Sequence, residues 1–193
     1  MKRFRLARGM SLGNLEAAID GLVSSQTLSK YEHGKLQPTA ATLNQIAAAL
    51  GVKSAQLWGE PPCDVEWIAY RKYARLGKRE QKRIQALVAE EMENRVWLQE
   101  QIQEQDIFEF PIFGATVKSL EDAEEAATAL RHALNLGISP IENLIETLEN
   151  HGIHIIEVDA SETFDGISAV ARDIDGNLLA AVSATRSGVP GDR

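Results

Sequence analysis

Capping residues and glycines divide the first sixty residues of the chain into short segments. Ser11 and Ser24 each precede a run whose apolar residues recur at helical spacing, and a serine hydroxyl there can satisfy an unpaired N–H of the first helical turn. Gly34 and Gly51 follow two later runs as typical C-terminal stops. The spacing therefore predicts a small domain of short helices joined by tight turns.

The spacing of the apolar residues predicts where the helices of this region lie. Asp20-Gly21 offers a tight turn, so the helix after Ser11 and the helix at about 24–32 are expected to lie close together. A short helix precedes them in MKRFRLAR, and a last turn of helix is predicted at 54–58. The apolar positions of the three main stripes are Leu12, Leu15, Ala18 and Ile19, then Leu28 and Tyr31, then Leu43, Ile46, Ala47 and Leu50.

Two stretches of this region, VSSQTLSKYEHGKLQP and LNQIAAALGV, resemble the XRE/Cro-type helix-turn-helix family over residues 1–59. The resemblance implies a five-helix, lambda-repressor-like domain with the bounds 1–60. The second of the two close helices in that family enters the major groove of DNA. Arg5 and Glu32 stand where the family often places a structural ion pair, so neither is expected to read bases. Leu12 replaces the glutamine with which the family's second helix usually touches phosphate.

Carried over by position, the resemblance places one polar set at the DNA. Its members are Ser24, Ser25, Gln26, Thr27, Lys30 and Lys35. Ser25, Gln26 and Lys30 would face bases, and a glutamine amide can pair in a bidentate way with adenine N6 and N7. Ser24 and Thr27 would lie nearer the phosphates, and the lysine past the helix would contact phosphate without reading sequence. The alternative interpretation is a solvated helix face, or one that serves protein contacts alone.

The charge of the chain is unevenly distributed. Residues 1–60 hold seven Lys/Arg against four Asp/Glu, residues 61–105 hold eight of each, and residues 106–193 hold five against sixteen, for a net charge of -8. An acidic surface is repelled by phosphate, whereas a basic one is attracted to it. The basic part is the part with the DNA-binding pattern, and the acidic residues belong to another domain.

Several classes of protein are disfavoured by composition. No apolar run approaches the ~18 to 20 residues of a membrane helix, and the basic start is not followed by a hydrophobic signal-peptide core. We therefore expect a cytoplasmic protein with no membrane partner. Cys63 is the only cysteine, which excludes an intramolecular disulfide and a cysteine zinc knuckle.

Pro61-Pro62 breaks the helical pattern and opens a second region, 61–105, which we interpret as a helical linker. One helix is predicted from Asp64 onward with Val65 and Ile68 inward, and a longer one is predicted over 78–105. The longer helix has a single apolar stripe, made of Ile84, Val88, Met92 and Val96. The stripe predicts a partner, which is either the following domain or a second copy of the helix across a dimer.

The third region, 106–193, begins with an irregular crossing over 106–118. Ser119 is expected to cap a helix that ends at Gly137. A second helix is predicted to open at Pro140 and to stop at Gly152. Its inward positions would be Ile141, Leu144, Ile145 and Leu148.

Strands follow these two helices. IHIIEVD is predicted to be a strand, and GISAVARD and NLLAAVSA are predicted to form a hairpin about Asp175-Gly176. The expected fold class is mainly α: an N-terminal five-helix lambda-repressor-like domain, a helical linker, and a partial α+β module with a few strands.

The stretches DAEEAATALRHALNLGISPIENLIETLENHGIHIIEVD, FDGISA and GVPGDR resemble the N-terminal part of the ImmA/IrrE metallopeptidase family over residues 119–193. An XRE-type head joined to such a module is a known architecture of that family. The family's zinc-binding HExxH helix follows the PGDR turn, and no HExxH occurs in this chain. His151 and His154 straddle a helix stop and a strand start. We expect no metal site, no catalytic set and no cofactor in these residues.

The leading hypothesis is a homodimeric, sequence-specific transcriptional regulator that binds a double-stranded DNA operator. Its acidic half would contact a protein partner or a ligand. The first alternative is the front part of a regulator-peptidase of the ImmA/IrrE type, which cleaves a repressor, and a longer reading frame with HExxH would favour it. The second is an antitoxin-like autoregulator, which capture of a neighbouring gene's product would favour.

Overall fold

The computed structural model describes residues 1–72, 76–102 and 116–188, and within these ranges the chain forms eight helices and four strands. A head of five helices comes first, and helices with a small four-stranded sheet follow, as the sequence predicts. The head helices are α1 (Lys2–Ala7), α2 (Leu12–Ala18), α3 (Ser25–Glu32), α4 (Ala40–Leu50) and α5 (Ser54–Trp58).

The predicted capping residues set the ends of the head helices. Ser11 forms a capping box with Asn14 at the start of α2, and the Ser24 hydroxyl accepts a hydrogen bond from the backbone N–H of Thr27 at the start of α3. Gly51 ends α4 with a left-handed φ of 62°. The side chains buried between the helices are Phe4, Leu15, Ile19, Leu28, Ile46 and Leu50.

The sheet is assembled from strands far apart in the chain. Its strands are β1 (Asp64–Lys72), β2 (Ile153–Val158), β3 (Phe164–Arg172) and β4 (Leu178–Arg186). They lie in the order β1-β3-β4-β2, with β1 and β4 antiparallel to β3 and β2 parallel to β4. The predicted hairpin is confirmed: Gly176 has a φ of 85°, and the Asp173 carboxylate accepts hydrogen bonds from the backbone N–H groups of Asp175 and Asn177.

The helix predicted from Asp64 onward is wrong, because β1 occupies these residues. Val65 and Trp67 pack against the core while Glu66 between them is exposed, which is the alternation of a strand. Ile68 sits at an irregularity in the register and is exposed. The partner strand β3 comes about a hundred residues later, so no local pattern could indicate the pairing. The described part of the region 61–105 therefore holds a strand and a helix rather than helices alone.

The long helix α6 (Lys78–Ile102) covers one face of this sheet. Its predicted apolar stripe is buried there, against strand residues such as Ile167 and Val182. The stripe residues Ile84, Val88 and Met92 are fully buried, and Val96 is nearly so. The partner of the stripe is thus the sheet of the same chain. The predicted positions 103–105 at its C-terminal end lie outside the described residues.

A second face of α6 holds the head. Helix α1 packs against it. On one side the Arg3 guanidinium pairs with Glu93 at 3.0 Å, and on the other Arg8 makes a bidentate pair with Glu90 at 2.8 and 3.0 Å. Helix α6 therefore lies between the head and the sheet.

The two remaining helices are α7 (Leu120–Ala133) and α8 (Leu144–Glu149). Ser119 caps α7 as predicted. Helix α8 is shorter than predicted because the side chain of Asn143, rather than Pro140, begins it by accepting a hydrogen bond from the backbone N–H of Glu146.

Two of the four apolar side chains expected to face inward from this segment are exposed, while Ile141 and Leu148 are partly buried. Leu144 and Ile145 are about half exposed, and Leu148 is the member that packs against the sheet. The predicted crossing at 106–118 falls largely on residues 106–115, which lie outside the described residues, as do residues 189–193 of the GVPGDR stretch.

Candidate nucleic-acid interface

Helices α2 and α3 are joined by a turn with two consecutive left-handed residues. Asp20 has a φ of 52° and Gly21 a φ of 69°. A left-handed aspartate is uncommon but tolerated, because its short polar side chain can bond locally. The Glu16 carboxylate of α2 then accepts a hydrogen bond from the backbone N–H of Ser25 at 2.9 Å. This bond ties α2 to the first turn of α3.

The other end of α3 is fixed by a buried ion pair. Arg5 of α1 makes a bidentate contact with the Glu32 carboxylate at 2.7 and 2.8 Å, and its third N–H group reaches the carbonyl oxygen of Met10 at 2.7 Å. The side chains of the pair are 9% and 2% exposed. The structural ion pair predicted from the family resemblance is therefore confirmed, and both ends of α3 are anchored within the head.

Between these anchors, α3 presents a polar face to solvent. Gln26 and Lys30 are exposed and lie one helical turn apart, and Lys35 is exposed just beyond the helix end. Among the residues that the structure describes, none of these three side chains has a hydrogen-bond or ion-pair partner. All three are therefore free to take up partners from a ligand.

The hydroxyl side chains of the predicted set are partly engaged within the helix start. The Ser24 hydroxyl lies 3.3 Å from the backbone nitrogen of Thr27 and 3.1 Å from its side-chain oxygen, and Ser25 is half-buried. A hydroxyl that caps a helix retains further hydrogen-bonding capacity. The structure places all six predicted residues on α3 or directly beside it.

Two features around helices α2 and α3 were missed from sequence. Glu16 anchors the start of α3, and the basic run Lys78–Arg83 at the start of α6 lies against the turn before α2, where Arg79 donates a hydrogen bond to the carbonyl oxygen of Gly9 at 2.6 Å. Both depend on contacts between separate elements. A carboxylate eight residues before the cap Ser24 was the one local hint for Glu16.

His151 and His154, which are close in the sequence, have different partners in the structure. His151 Nδ1 bonds to the carbonyl oxygen of Thr147 at 2.7 Å, whereas His154 is buried beside Arg95, with 3.3 Å between His154 Nδ1 and the Arg95 guanidinium. Burial and the neighbouring guanidinium lower the pKa of His154. Across 1–72, 76–102 and 116–188, three or more metal-ligating side chains do not gather at any point.

Two short helices joined by a tight turn, the second with a free polar face, define a helix-turn-helix domain. A family model described as helix-turn-helix matches residues 1–57, which span the head to within α5. These residues are a helix-turn-helix domain, a class whose second helix lies in the major groove of DNA. Neither a curated protein nor a solved structure matches the chain. Among the described helices, none is long and apolar enough to span a membrane.

Proposed function

We propose that the chain is a sequence-specific transcriptional regulator whose helix α3 lies in the major groove of operator DNA. The observation that carries the proposal is the free polar face of α3, held rigidly at both ends. The Glu16 carboxylate holds its first turn and the Arg5–Glu32 pair holds its last. A recognition helix must be fixed in orientation for its side chains to contact particular base edges, because base contacts carry the sequence information.

The six predicted residues divide into two roles. Gln26 and Lys30, with Ser25 beside them, contact base edges in the groove. Lys35 contacts a phosphate, and Ser24 and Thr27 lie nearest the backbone at the start of the helix. A bidentate glutamine–adenine contact discriminates against other bases by roughly 1–3 kcal/mol.

The regulator is proposed to act as a homodimer. Helix-turn-helix proteins place two reading helices on half-sites about 34–36 Å apart, which requires two copies of the head. The apolar stripe of α6 is covered by the chain's own sheet, so the dimer contact uses another surface. Light scattering of the purified chain measures the mass directly, and a monomer at concentrations that saturate the operator would contradict the dimer.

The region after the head is proposed to bind a protein partner or a ligand. It is acidic, and it exposes large apolar side chains, among them Leu120 and Ile138. The ImmA/IrrE resemblance stays a hypothesis that rests on the quoted residues of 119–193 alone. We propose no catalytic activity for these 193 residues. Zinc-binding and peptidase assays on the chain test this, and activity in either would overturn it.

The experiment that tests the regulator is fluorescence anisotropy on the DNA upstream of the chain's own gene and on scrambled DNA. The wild type should prefer its own DNA, and Gln26→Ala should reduce that preference by roughly 5- to 150-fold, the equivalent of 1–3 kcal/mol. Gln45→Ala is the matched control, because Gln45 is exposed on α4 of the same head. Equal affinity for the two DNAs, or equal effects of the two variants, would overturn the proposal.

A further inference from the structure

The first turns of α6 carry an unusual density of positive charge. Residues 78–83 read KREQKR, with four basic residues and one acidic residue. Within the run, Arg83 and Glu80 neutralise each other through two hydrogen bonds of 3.2 and 2.8 Å, which lower the pKa of Glu80. Lys78, Arg79 and Lys82 therefore remain as three cations without a carboxylate partner among the described residues.

The three cations are accessible. Lys78 and Lys82 are exposed and lie one helical turn apart. Arg79 is also exposed, and it uses one guanidinium nitrogen on the Gly9 carbonyl oxygen, which leaves its other N–H donors free. Lysines that served only to pair with the acidic sheet region would be expected to have carboxylate partners there, and these two have none in the described part of the chain.

The head is docked so that this run lies beside the start of α2. Gly9 lies three residues before Leu12, the first residue of α2, and a Cβ atom at Gly9 would lie 3.2 Å from the Cδ atom of Arg83. The Arg3–Glu93 and Arg8–Glu90 pairs hold α1 on the same helix. The run and the head therefore have a fixed relative position.

In helix-turn-helix complexes the first helix of the pair crosses the phosphate backbone while the second lies in the groove. In this chain the first helix is α2, and its first residue is the apolar Leu12. Basic side chains held next to that helix end are suitably placed to supply backbone contacts that Leu12 cannot make. Such contacts position the protein on the duplex and add affinity without reading sequence.

We propose that Lys78, Arg79 and Lys82 form a second DNA-contacting surface, which binds the phosphate backbone next to α2. This inference rests on the proposed function of the head. It assigns a role in DNA binding to a helix outside the matched domain and explains why the basic residues of the region 61–105 are concentrated at the start of its helix. Each neutralised phosphate releases counterions and steepens the salt dependence of binding.

The test compares Lys78→Gln, Lys82→Gln and the double variant with Lys118→Gln, in salt titrations on operator and scrambled DNA. Lys118 is exposed in the acidic half, so its variant makes the same charge change away from the run. Each single variant should lower the slope of log affinity against log salt by about 1, and the double variant by about 2. The affinity ratio between the two DNAs should stay unchanged, because phosphate contacts carry no sequence information.

The possible failures are distinguishable. If the wild type prefers its operator through Gln26 but the double variant keeps the wild-type slope, the second surface is wrong and the regulator stands. A slope change equal to that of Lys118→Gln would also overturn the surface, since it would reflect net charge alone. If the wild type binds neither DNA, both proposals fail. Thermal unfolding of each variant verifies that the exposed substitutions leave the fold intact.

Discussion

Helices α6 and α7 differ in whether local sequence or distant contacts determine their place in the fold. Helix α7 begins with a complete capping box, in which Ser119 and Asp122 exchange hydrogen bonds, yet none of its side chains is buried. Helix α6 is buried on two faces, by the sheet and by the head. The start of α7 is determined by neighbours in the sequence, whereas the role of α6 is determined by segments that arrive from far along the chain.

This difference in burial predicts that replacing an apolar side chain by alanine changes the free energy of unfolding by unequal amounts in the two helices. Met92 of α6 is fully buried against the sheet, so Met92→Ala should lower the free energy of unfolding by about 2–5 kcal/mol. Leu130 of α7 is only half-buried, and alanine is the better helix former, so Leu130→Ala should change it by less than about 0.5 kcal/mol. Urea unfolding followed by circular dichroism measures both.

The two variants control each other, because each removes one apolar side chain from a helix of the same chain. Equal losses would mean that α7 is buried in solution against a surface that its exposed positions do not reveal. A negligible loss at Met92 would mean that α6 does not hold the sheet in place. Either result would break the contrast between the helices.

One acidic side chain in each helix should also contribute to the pH dependence of stability, with opposite signs in the two helices. Burial raises the pKa of Glu93 on α6 from 4.5 to about 7, although the Arg3 guanidinium opposes the shift. The other groups near this carboxyl are Glu90 and the N-terminal amine, with the Cys63 thiol nearby. In α7, hydrogen bonds from the backbone N–H groups of residues 118 and 119 lower the pKa of Asp122.

Between pH 4.5 and about 7, folded Glu93 keeps a proton that the unfolded chain has released, so its contribution makes the protein less stable as the pH rises. Glu93→Gln should remove this slope and be more stable than the wild type by about 1–2 kcal/mol above pH 7, with little difference near pH 4.5. Urea unfolding at several pH values measures the difference. A constant difference in the free energy of unfolding between variant and wild type across the pH range would contradict the raised pKa of Glu93.

Asp122 behaves oppositely, since its contribution to stability is present above pH 3.8 and is lost as the pH falls.

The same contrast explains which parts of the molecule could be predicted from sequence. Caps at Ser24 and Ser119 and the hairpin at Asp175-Gly176 are local, because each bond joins residues a few positions apart. Strand β1 was missed because its partner β3 lies about a hundred residues away. The second face of α6 looks like solvated surface in the sequence, because it carries Glu90 and Glu93, whose ion pairs with α1 are not visible there.

The candidate site also combines features that the sequence predicts with features that depend on tertiary contacts. The free face with Gln26 and Lys30 follows from helical spacing alone, since exposed polar positions one turn apart are visible in the sequence. The Glu16 anchor needs the left-handed turn at Asp20 and Gly21, which brings α2 back to the start of α3. The basic start of α6 is informative only once the head is docked beside it. Sequence patterns therefore indicate which residues are free, and tertiary contacts decide what lies next to them.

An effect smaller than those at Met92 and Glu93 is expected at the cap of α7, where local bonds must do most of the stabilising. Ser119→Ala removes the hydroxyl that accepts a hydrogen bond from the backbone N–H of Asp122 at 3.1 Å, and a lost N-cap costs about 1 kcal/mol. Because α7 buries no side chain that could compensate, its first turns should lose helicity, seen in the backbone chemical shifts of 120–133. Thr128→Ala, an exposed change in the middle of the same helix, should leave those shifts nearly unchanged. If Ser119→Ala also left them unchanged, tertiary contacts rather than the cap would be holding α7, and it would resemble α6 after all.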